Sequence, residues 1–153
     1  MNNFNTGLIL IKFKNHELIS YLINEQIISN GIFYPIIRIN LPIKKDNEYL
    51  STIMPDSEIK LIKSIQKTND FFNEYKEEIL ILKNNGWDFD NQNNLETINL
   101  LYYLRQNIKS NNQNISKEDI FKSSIEKLQN IIHLLENHYI EEFNNILKEY
   151  GFI

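Results

Sequence analysis

The sequence of 153 residues contains no cysteine, no valine and no alanine, and only four glycines and three prolines. The absence of cysteine excludes thiol catalysis and thiolate metal sites. Valine and isoleucine are both β-branched and usually exchangeable, so no fold demands one and forbids the other. Isoleucine and asparagine together supply about a third of the chain, and lysine far outnumbers arginine. Because these preferences follow AT-rich codons, we interpret them as the mark of an AT-rich genome rather than of a function.

Several catalytic and cofactor patterns are also missing. The four glycines are scattered singly, so none can belong to a glycine-rich phosphate loop. No Gly-x-Ser-x-Gly nucleophile elbow is present. His133 and His138 are five residues apart, whereas two metal ligands on one helical face need a spacing of four. We therefore expect no metal, no cofactor and no catalytic residues.

Length and hydropathy favour one domain, residues 1–153, without a membrane segment. No apolar run approaches the ~18 residues that a transmembrane helix requires. The first residues lack the basic and small-residue pattern of a signal peptide. We expect a cytoplasmic protein, in the host cytoplasm if the source is a virus.

The predicted fold class is α+β and helix-dominated. Its first portion, residues 1–54, is predicted as a β-α-β(-β) unit that begins with a strand at 8–14. A helix is predicted to start at Asn15 as its N-cap and to end at Gly31 in the left-handed conformation. One or two strands follow, reaching Ile53.

The remaining portion, residues 55–153, is predicted to be three helices packed on this unit, the last one long. Pro55 and the acidic residues after it indicate a helix start, and Asn85-Gly86 indicates its end. A second helix is predicted over 94–109. Ser116, followed by acidic residues, is typical of the N-cap of the third helix.

The last helix has the most regular apolar spacing in the chain. Its apolar residues recur every three or four positions and form a stripe: Phe121, Ile125, Leu128, Ile132, Leu135, Tyr139, Phe143, Ile146 and Tyr150. The stripe could be the seam of a coiled-coil dimer, or it could pack on the protein's own helices. We favour intramolecular packing, and hence a monomer or weak dimer.

Acidic residues concentrate in the middle of the chain, where residues 48–90 carry nine acidic and five basic side chains. Asp70, Glu74 and Glu77 have the i, i+4, i+7 spacing that places side chains on one helical face. Acidic groups beside an aromatic residue are typical of a surface that binds a basic protein. The alternative is a solvated helix face, with Trp87 and Phe89 in the core after the helix end. The candidate partner-binding residues are Asp70, Glu74, Glu77, Glu78, Trp87, Asp88 and Asp90.

Basic residues gather instead in the predicted N-terminal strands. They are Lys12, Lys14, Arg38, Lys44 and Lys45. Such a group could touch nucleic acid, but lysines on edge strands more often prevent edge-to-edge association. The overall net charge of −4 also disfavours a nucleic-acid partner.

These observations favour a non-enzymatic binding protein that inhibits or neutralises a macromolecular partner by occlusion. Toxin-immunity proteins and phage anti-defence inhibitors are of this type, and the expected partner is a protein with a basic surface. Two alternatives remain open. One is a nucleic-acid-associated regulatory protein that dimerises through its C-terminal helix. The other is an enzyme whose composite site is not visible in the sequence.

Overall fold

The computed structural model describes residues 8–29, 32–45, 48–53, 59–65, 68–89, 95–110 and 115–152. Within them, a five-stranded antiparallel sheet precedes four helices, and helical residues outnumber strand residues. The predicted helix-dominated α+β class is therefore confirmed. The strands are β1 (Leu8–Phe13), β2 (His16–Ser29), β3 (Ile32–Lys45), β4 (Glu48–Ile53) and β5 (Ile59–Ile65). The helices are α1 (Thr68–Glu74), α2 (Lys76–Asn84), α3 (Leu95–Ser110) and α4 (Lys117–Glu149).

The sheet has the strand order β4-β3-β2-β1-β5, with every neighbouring pair antiparallel. The long strand β2 changes partner along its length. It pairs with β1 up to Tyr21 and with β3 from Leu22 onwards. Strand β1 lies between β2 and β5, and its residues from Leu8 to Ile11 are buried on both faces, as the apolar run predicts.

The helix predicted to begin at Asn15 is wrong, because the residues that follow form strand β2. Lys14 and Asn15 have positive φ angles of 49° and 68°, as the two central residues of a type I′ hairpin turn do. Asparagine tolerates this left-handed region, so here it makes a turn instead of a helix cap. An isoleucine-rich segment satisfies helical and strand spacing alike, and β-branched residues fit a pleated sheet well. The predicted helix end at Gly31 lies outside the described residues.

The helix predicted to begin at Pro55 is also wrong in its first part. Pro55 lies outside the described residues, and β5 occupies 59–65. Because β1 is buried, the backbone groups on its second edge need hydrogen-bond partners, which β5 supplies. The rest of the predicted helix is divided at Tyr75 into α1 and α2. The sheet therefore extends past residue 54, where the sequence placed the start of the helical portion.

Other predicted helix boundaries are confirmed. Helix α2 ends at Asn84 with Asn85 as its C-cap, Gly86 has a φ of 81°, and the Trp87 amide donates to the Leu82 carbonyl at 3.0 Å. This is the Schellman arrangement, which directs the chain back towards the body. At the start of α4, the Ser116 hydroxyl accepts a hydrogen bond from the Asp119 amide at 3.1 Å.

Helix α3 lies at the centre of the molecule. It contacts α2 and α4 as well as β2 and β3. Two of its buried residues, Thr97 and Asn99, are polar. The full buried set is Leu95, Thr97, Ile98, Asn99, Leu100, Leu101, Tyr103 and Leu104. Helix α4 has 33 residues and is about 50 Å long at 1.5 Å per residue, which confirms the predicted long last helix.

Candidate functional site

The predicted acidic surface is divided between elements. Asp70 and Glu74 lie on α1, whereas Glu77 lies on α2 beyond the break, so the three do not follow one continuous helix. All three side chains are exposed, as is that of Asp88. Asp90 lies outside the described residues. Exposed negative charge is therefore present here, but without the single helical face that the spacing predicts.

Glu78 does not belong to this exposed surface, because its exposed fraction is only 4%. Arg105 donates to it twice, from Nε to Oε2 at 3.1 Å and from Nη2 to Oε1 at 3.2 Å. Its Cζ also lies 3.7 Å from the ring centroid of Tyr75, which in turn stacks on Phe71. Burial lowers the pKa of Arg105, but its hydrogen bond and attraction to Glu78 outweigh burial, so the net pKa is raised. No pattern in the sequence indicates that Glu78 faces inwards while Glu77 faces out.

Trp87 is half-buried and packs against the core. Its indole Nε1 donates to Thr97 Oγ1 on α3 at 2.9 Å. A tryptophan that fills space beside the core with its N–H satisfied resembles a structural residue more than an open anchor. Its position fits the alternative that the sequence left open, in which Trp87 belongs to the core.

A polar cluster joins the β1–β2 hairpin to α3. The Tyr102 hydroxyl donates to Glu17 Oε1 at 3.0 Å, and the Tyr103 hydroxyl donates to the Glu17 carbonyl at 2.8 Å. Gln106 Nε2 donates to the Tyr102 oxygen at 2.6 Å. Burial, reinforced by Glu17, raises the pKa of both phenols well above the usual value. These contacts hold the hairpin in place, and no sequence spacing could have indicated them.

A surface pocket of about 300 Å³ lies where the start of β2 meets α4. Its lining includes an acidic, a basic and a hydroxyl side chain. The lining residues are His16, Ser123, Glu126, Lys127, Asn130 and Ile131. Lys127 Nζ also lies 4.8 Å from the ring centroid of Tyr103. The sequence could not predict this pocket, because its two walls are far apart along the chain.

The last three turns of α4 carry a second exposed surface. Every described residue after His138 is at least partly exposed. Five large apolar side chains are 50–74% exposed and are called the α4 end from here on: Ile140, Phe143, Ile146, Tyr150 and Phe152. The Phe152 amide donates to the Leu147 carbonyl at 2.9 Å, and Gly151 has a φ of 81°, so Phe152 is held by a Schellman turn.

The α4 end changes the interpretation of the apolar stripe. Stripe members from Phe121 to Tyr139 are buried or half-buried against the body, as intramolecular packing predicts. The last three members of the stripe, Phe143, Ile146 and Tyr150, are at least half exposed. Acidic residues outnumber basic ones in this part of the sequence, where Glu141, Glu142 and Glu149 accompany Lys148. The segment therefore combines exposed apolar surface with negative charge.

Neither a membrane-spanning helix nor a metal-binding cluster occurs in the described ranges. Each helix there is either too short or too polar to serve as a transmembrane span. No group of three His, Asp or Glu side chains in these ranges is close enough to share a metal ion. The side chains of Arg38, Lys44 and Lys45, which belong to the basic candidate set, lie outside the described part.

Comparison with known proteins found no family model that matches the sequence, and no curated protein or solved structure that matches it.

Proposed function

We propose that this chain is a non-enzymatic binding protein that neutralises a macromolecular partner by covering part of its surface. The observation that carries this proposal is the α4 end, where five large apolar side chains are half to three-quarters exposed. Scattered exposed apolar residues are ordinary, but a contiguous apolar patch of several hundred Å² is often a functional site on a monomeric protein. Here Ile140, Phe143 and Ile146 lie in the last turns of α4, and Tyr150 and Phe152 follow directly at its C-terminus.

The composition of the α4 end suits a protein contact. Phe143, Tyr150 and Phe152 are aromatic, and aromatic side chains dominate the binding energy of protein interfaces. A fully enclosed aromatic side chain buries about 150–250 Å², so five half-exposed apolar residues offer on the order of 500 Å². This area is enough for the centre of an interface whose rim is polar.

The acidic residues provide the second part of the proposal. Asp70, Glu77 and Asp88 are exposed near α1 and α2, and Glu141 is exposed at the α4 end. Exposed charge contributes little to folding, but it accelerates encounter with a partner of opposite charge. The partner would therefore have a basic surface, as the targets of toxin-immunity proteins and anti-defence inhibitors often do.

The α4 end also favours one different function. A nucleic-acid-associated regulator could use the same apolar side chains to dimerise through α4, with the basic residues of the N-terminal strands on the nucleic acid. Lys12 and Lys14 are exposed, as that function requires. The two functions differ in the mass of the free protein, since only the regulator would be a stable dimer.

The proposal is tested by capture followed by inhibition. The tagged wild-type chain and the double variant Phe143→Ser/Ile146→Ser would be used to capture proteins from cells that carry the gene. A protein retained only by the wild type would then be purified and its own activity measured. We expect one equivalent of the wild type to abolish that activity and the variant to leave it intact. A partner that binds the variant equally well, or keeps its activity when bound, would contradict the proposal.

A further inference from the structure

The partner of the α4 end can be specified further from its shape and charge. We infer that it is an amphipathic helix of another protein, with lysine or arginine side chains bordering its apolar face. This inference rests on the proposed function and adds the chemical class of the partner. It follows from the spacing of the apolar side chains, from the charges beside them and from the area they offer.

The shape of the α4 end is a ridge on one helix. Phe143, Ile146 and Tyr150 are separated by three and four residues, so they lie along one face. From Ile140 to Tyr150 this face is about 15 Å long at 1.5 Å per residue. A second helix of about three turns can lie along it, with ridges packed into grooves, and can present apolar residues at the same spacing.

The charges beside the ridge select the sign of the partner. At about 100° per residue, Glu141 and Lys148 lie on the far side of the helix, whereas Glu142 and Glu149 lie beside Ile146 along one edge of the ridge. A helix with basic side chains along its apolar face would meet these carboxylates at the rim of the contact. Anionic lipid and nucleic acid would meet the same carboxylates as like charges, which disfavours both as occupants.

A second copy of the chain fits the α4 end less well than a basic helix. Parallel pairing would place no lysine of the second copy beside Glu142 and Glu149, because Lys148 lies on the far side of the helix. Antiparallel pairing would bring the edges that carry Glu142 and Glu149 in the two copies to the same side of the contact, as like charges. The apolar area is also small for self-association, since a stable complex buries about 800 Å² on each partner. A helix with complementary charge compensates for the small apolar area through contacts at the rim.

The inference is tested with two labelled probe peptides and the full-length protein. The basic probe is an 18-residue helix with leucine at positions spaced three and four apart and lysine elsewhere. The acidic probe has the same leucines with glutamate in place of lysine. At 0.15 M salt, where exposed charges beyond about 8 Å are screened, we expect fluorescence anisotropy to show at least tenfold tighter binding of the basic probe.

Three variants locate the binding. Phe143→Ser/Ile146→Ser removes apolar side chains, and Glu142→Lys/Glu149→Lys reverses the flanking charge. Each should weaken binding of the basic probe at least tenfold. The matched control, Glu118→Lys/Glu126→Lys, makes the same change in net charge near the start of α4, about 24 Å or more along the helix from Glu142 at 1.5 Å per residue. It should leave binding within about twofold because the altered charges are remote and screened. Thermal unfolding would verify that all three variants fold.

Several results would overturn the inference. Equal weakening by the Glu118→Lys/Glu126→Lys control would mean that the probe responds to overall charge alone. Equal affinity for both probes would remove the charge argument. Sedimentation of a dimer that dissociates in the Phe143→Ser/Ile146→Ser variant would identify a second copy as the occupant. Cosedimentation with anionic phosphatidylserine vesicles through the same two residues would identify lipid.

Failure of this inference is distinguishable from failure of the proposed function. If neither probe binds but a captured partner still requires Phe143 and Ile146, the basic helix is rejected and the neutralising function stands. If the captured partner binds the variant as well as it binds the wild type, the proposed function itself is rejected.

Discussion

Arg105 binds the buried carboxylate of Glu78 through two hydrogen bonds, at 3.1 and 3.2 Å, and thereby ties α3 to α2. The side chain of Glu78 is 5% exposed and that of Arg105 is 29% exposed, so one member of the pair is shielded from water and the other is partly solvated. The same guanidinium covers Tyr75 at the break between α1 and α2, and donates to the Glu74 carbonyl. One side chain thus organises the junction of three helices.

Removal of this side chain should destabilise the fold strongly. Arg105→Ala leaves the Glu78 carboxylate buried without its ion pair, and we expect a loss of about 3 kcal/mol of unfolding free energy. Urea denaturation followed by circular dichroism would measure it. Glu77→Ala, which changes the exposed neighbouring carboxylate, should stay within about 0.5 kcal/mol. Equal losses in the two variants would show that the Arg105–Glu78 contact contributes little.

Asn99 binds the backbone of β2 at Ile19, just outside the part of β2 that pairs with β3. Its Oδ1 accepts from the Ile19 amide at 2.6 Å, and its Nδ2 donates to the Ile19 carbonyl at 2.9 Å. Asn99→Leu would leave both backbone groups buried without a partner, so we expect a loss of about 2–4 kcal/mol. Asn145→Ala, at an exposed position of α4, is the matched control, and denaturation midpoints would compare the two. A small effect of Asn99→Leu would mean that water replaces the amide.

Tyr102 and Tyr103 predict how stability changes at alkaline pH. Burial raises the pKa of both phenols above the value of 10.0 that they have when unfolded. A raised native pKa means that the stabilisation is fully present below pH 10 and is lost as the pH rises above it. Absorbance at 295 nm should therefore show some of the eight tyrosines ionising only as the protein unfolds.

The variant Tyr103→Phe tests this assignment. At neutral pH it should cost about 1 kcal/mol, because it removes the hydrogen bond to the Glu17 carbonyl. Above pH 10 the difference from wild type should shrink, since the variant has no phenol at this position to ionise. A difference that stays constant from pH 7 to pH 11 would show that Tyr103 does not control the alkaline transition.

Trp87 is expected to act on stability. Trp87→Ala should cost about 3–5 kcal/mol, the usual range for truncation of a large packed aromatic side chain. Trp87→Phe should cost less, because it keeps most of the packing and loses mainly the hydrogen bond to Thr97. Thermal unfolding would rank the two. If both variants remain as stable as wild type while partner capture fails, Trp87 is an interface residue instead.

Fold class and the helices from residue 95 onwards follow from local signals. Ser116 and the regular apolar spacing after it are sufficient to predict α4, and Gly86 marks the end of α2. The prediction of a helix after Asn15 is wrong because isoleucine at many positions fits both helical and strand spacing. Tertiary pairing with β1 selects the strand. Strand β5 was not predicted either, because its pairing partner β1 is distant in the sequence.

The candidate site was only partly predictable. Exposed positions such as Asp70 and Glu77 follow from charge spacing, but the inward orientation of Glu78 depends on Arg105, which belongs to another helix. The sequence predicted the apolar stripe on α4, but it could not show at which residue the stripe stops packing against the rest of the protein. That limit is set by the packing of α3 and the sheet, and it falls after His138. Exposure of the α4 end is therefore a tertiary property.

The most direct test of the binding surface compares affinity and stability in one variant. Phe143→Ser/Ile146→Ser changes two side chains that are about half exposed, so the free energy of unfolding should change by at most about 1 kcal/mol. Titration calorimetry against the captured partner should show the affinity reduced about 100-fold, as expected for the loss of two interface anchors. An unchanged dissociation constant in a normally folded variant would contradict the assignment of the α4 end as the binding surface.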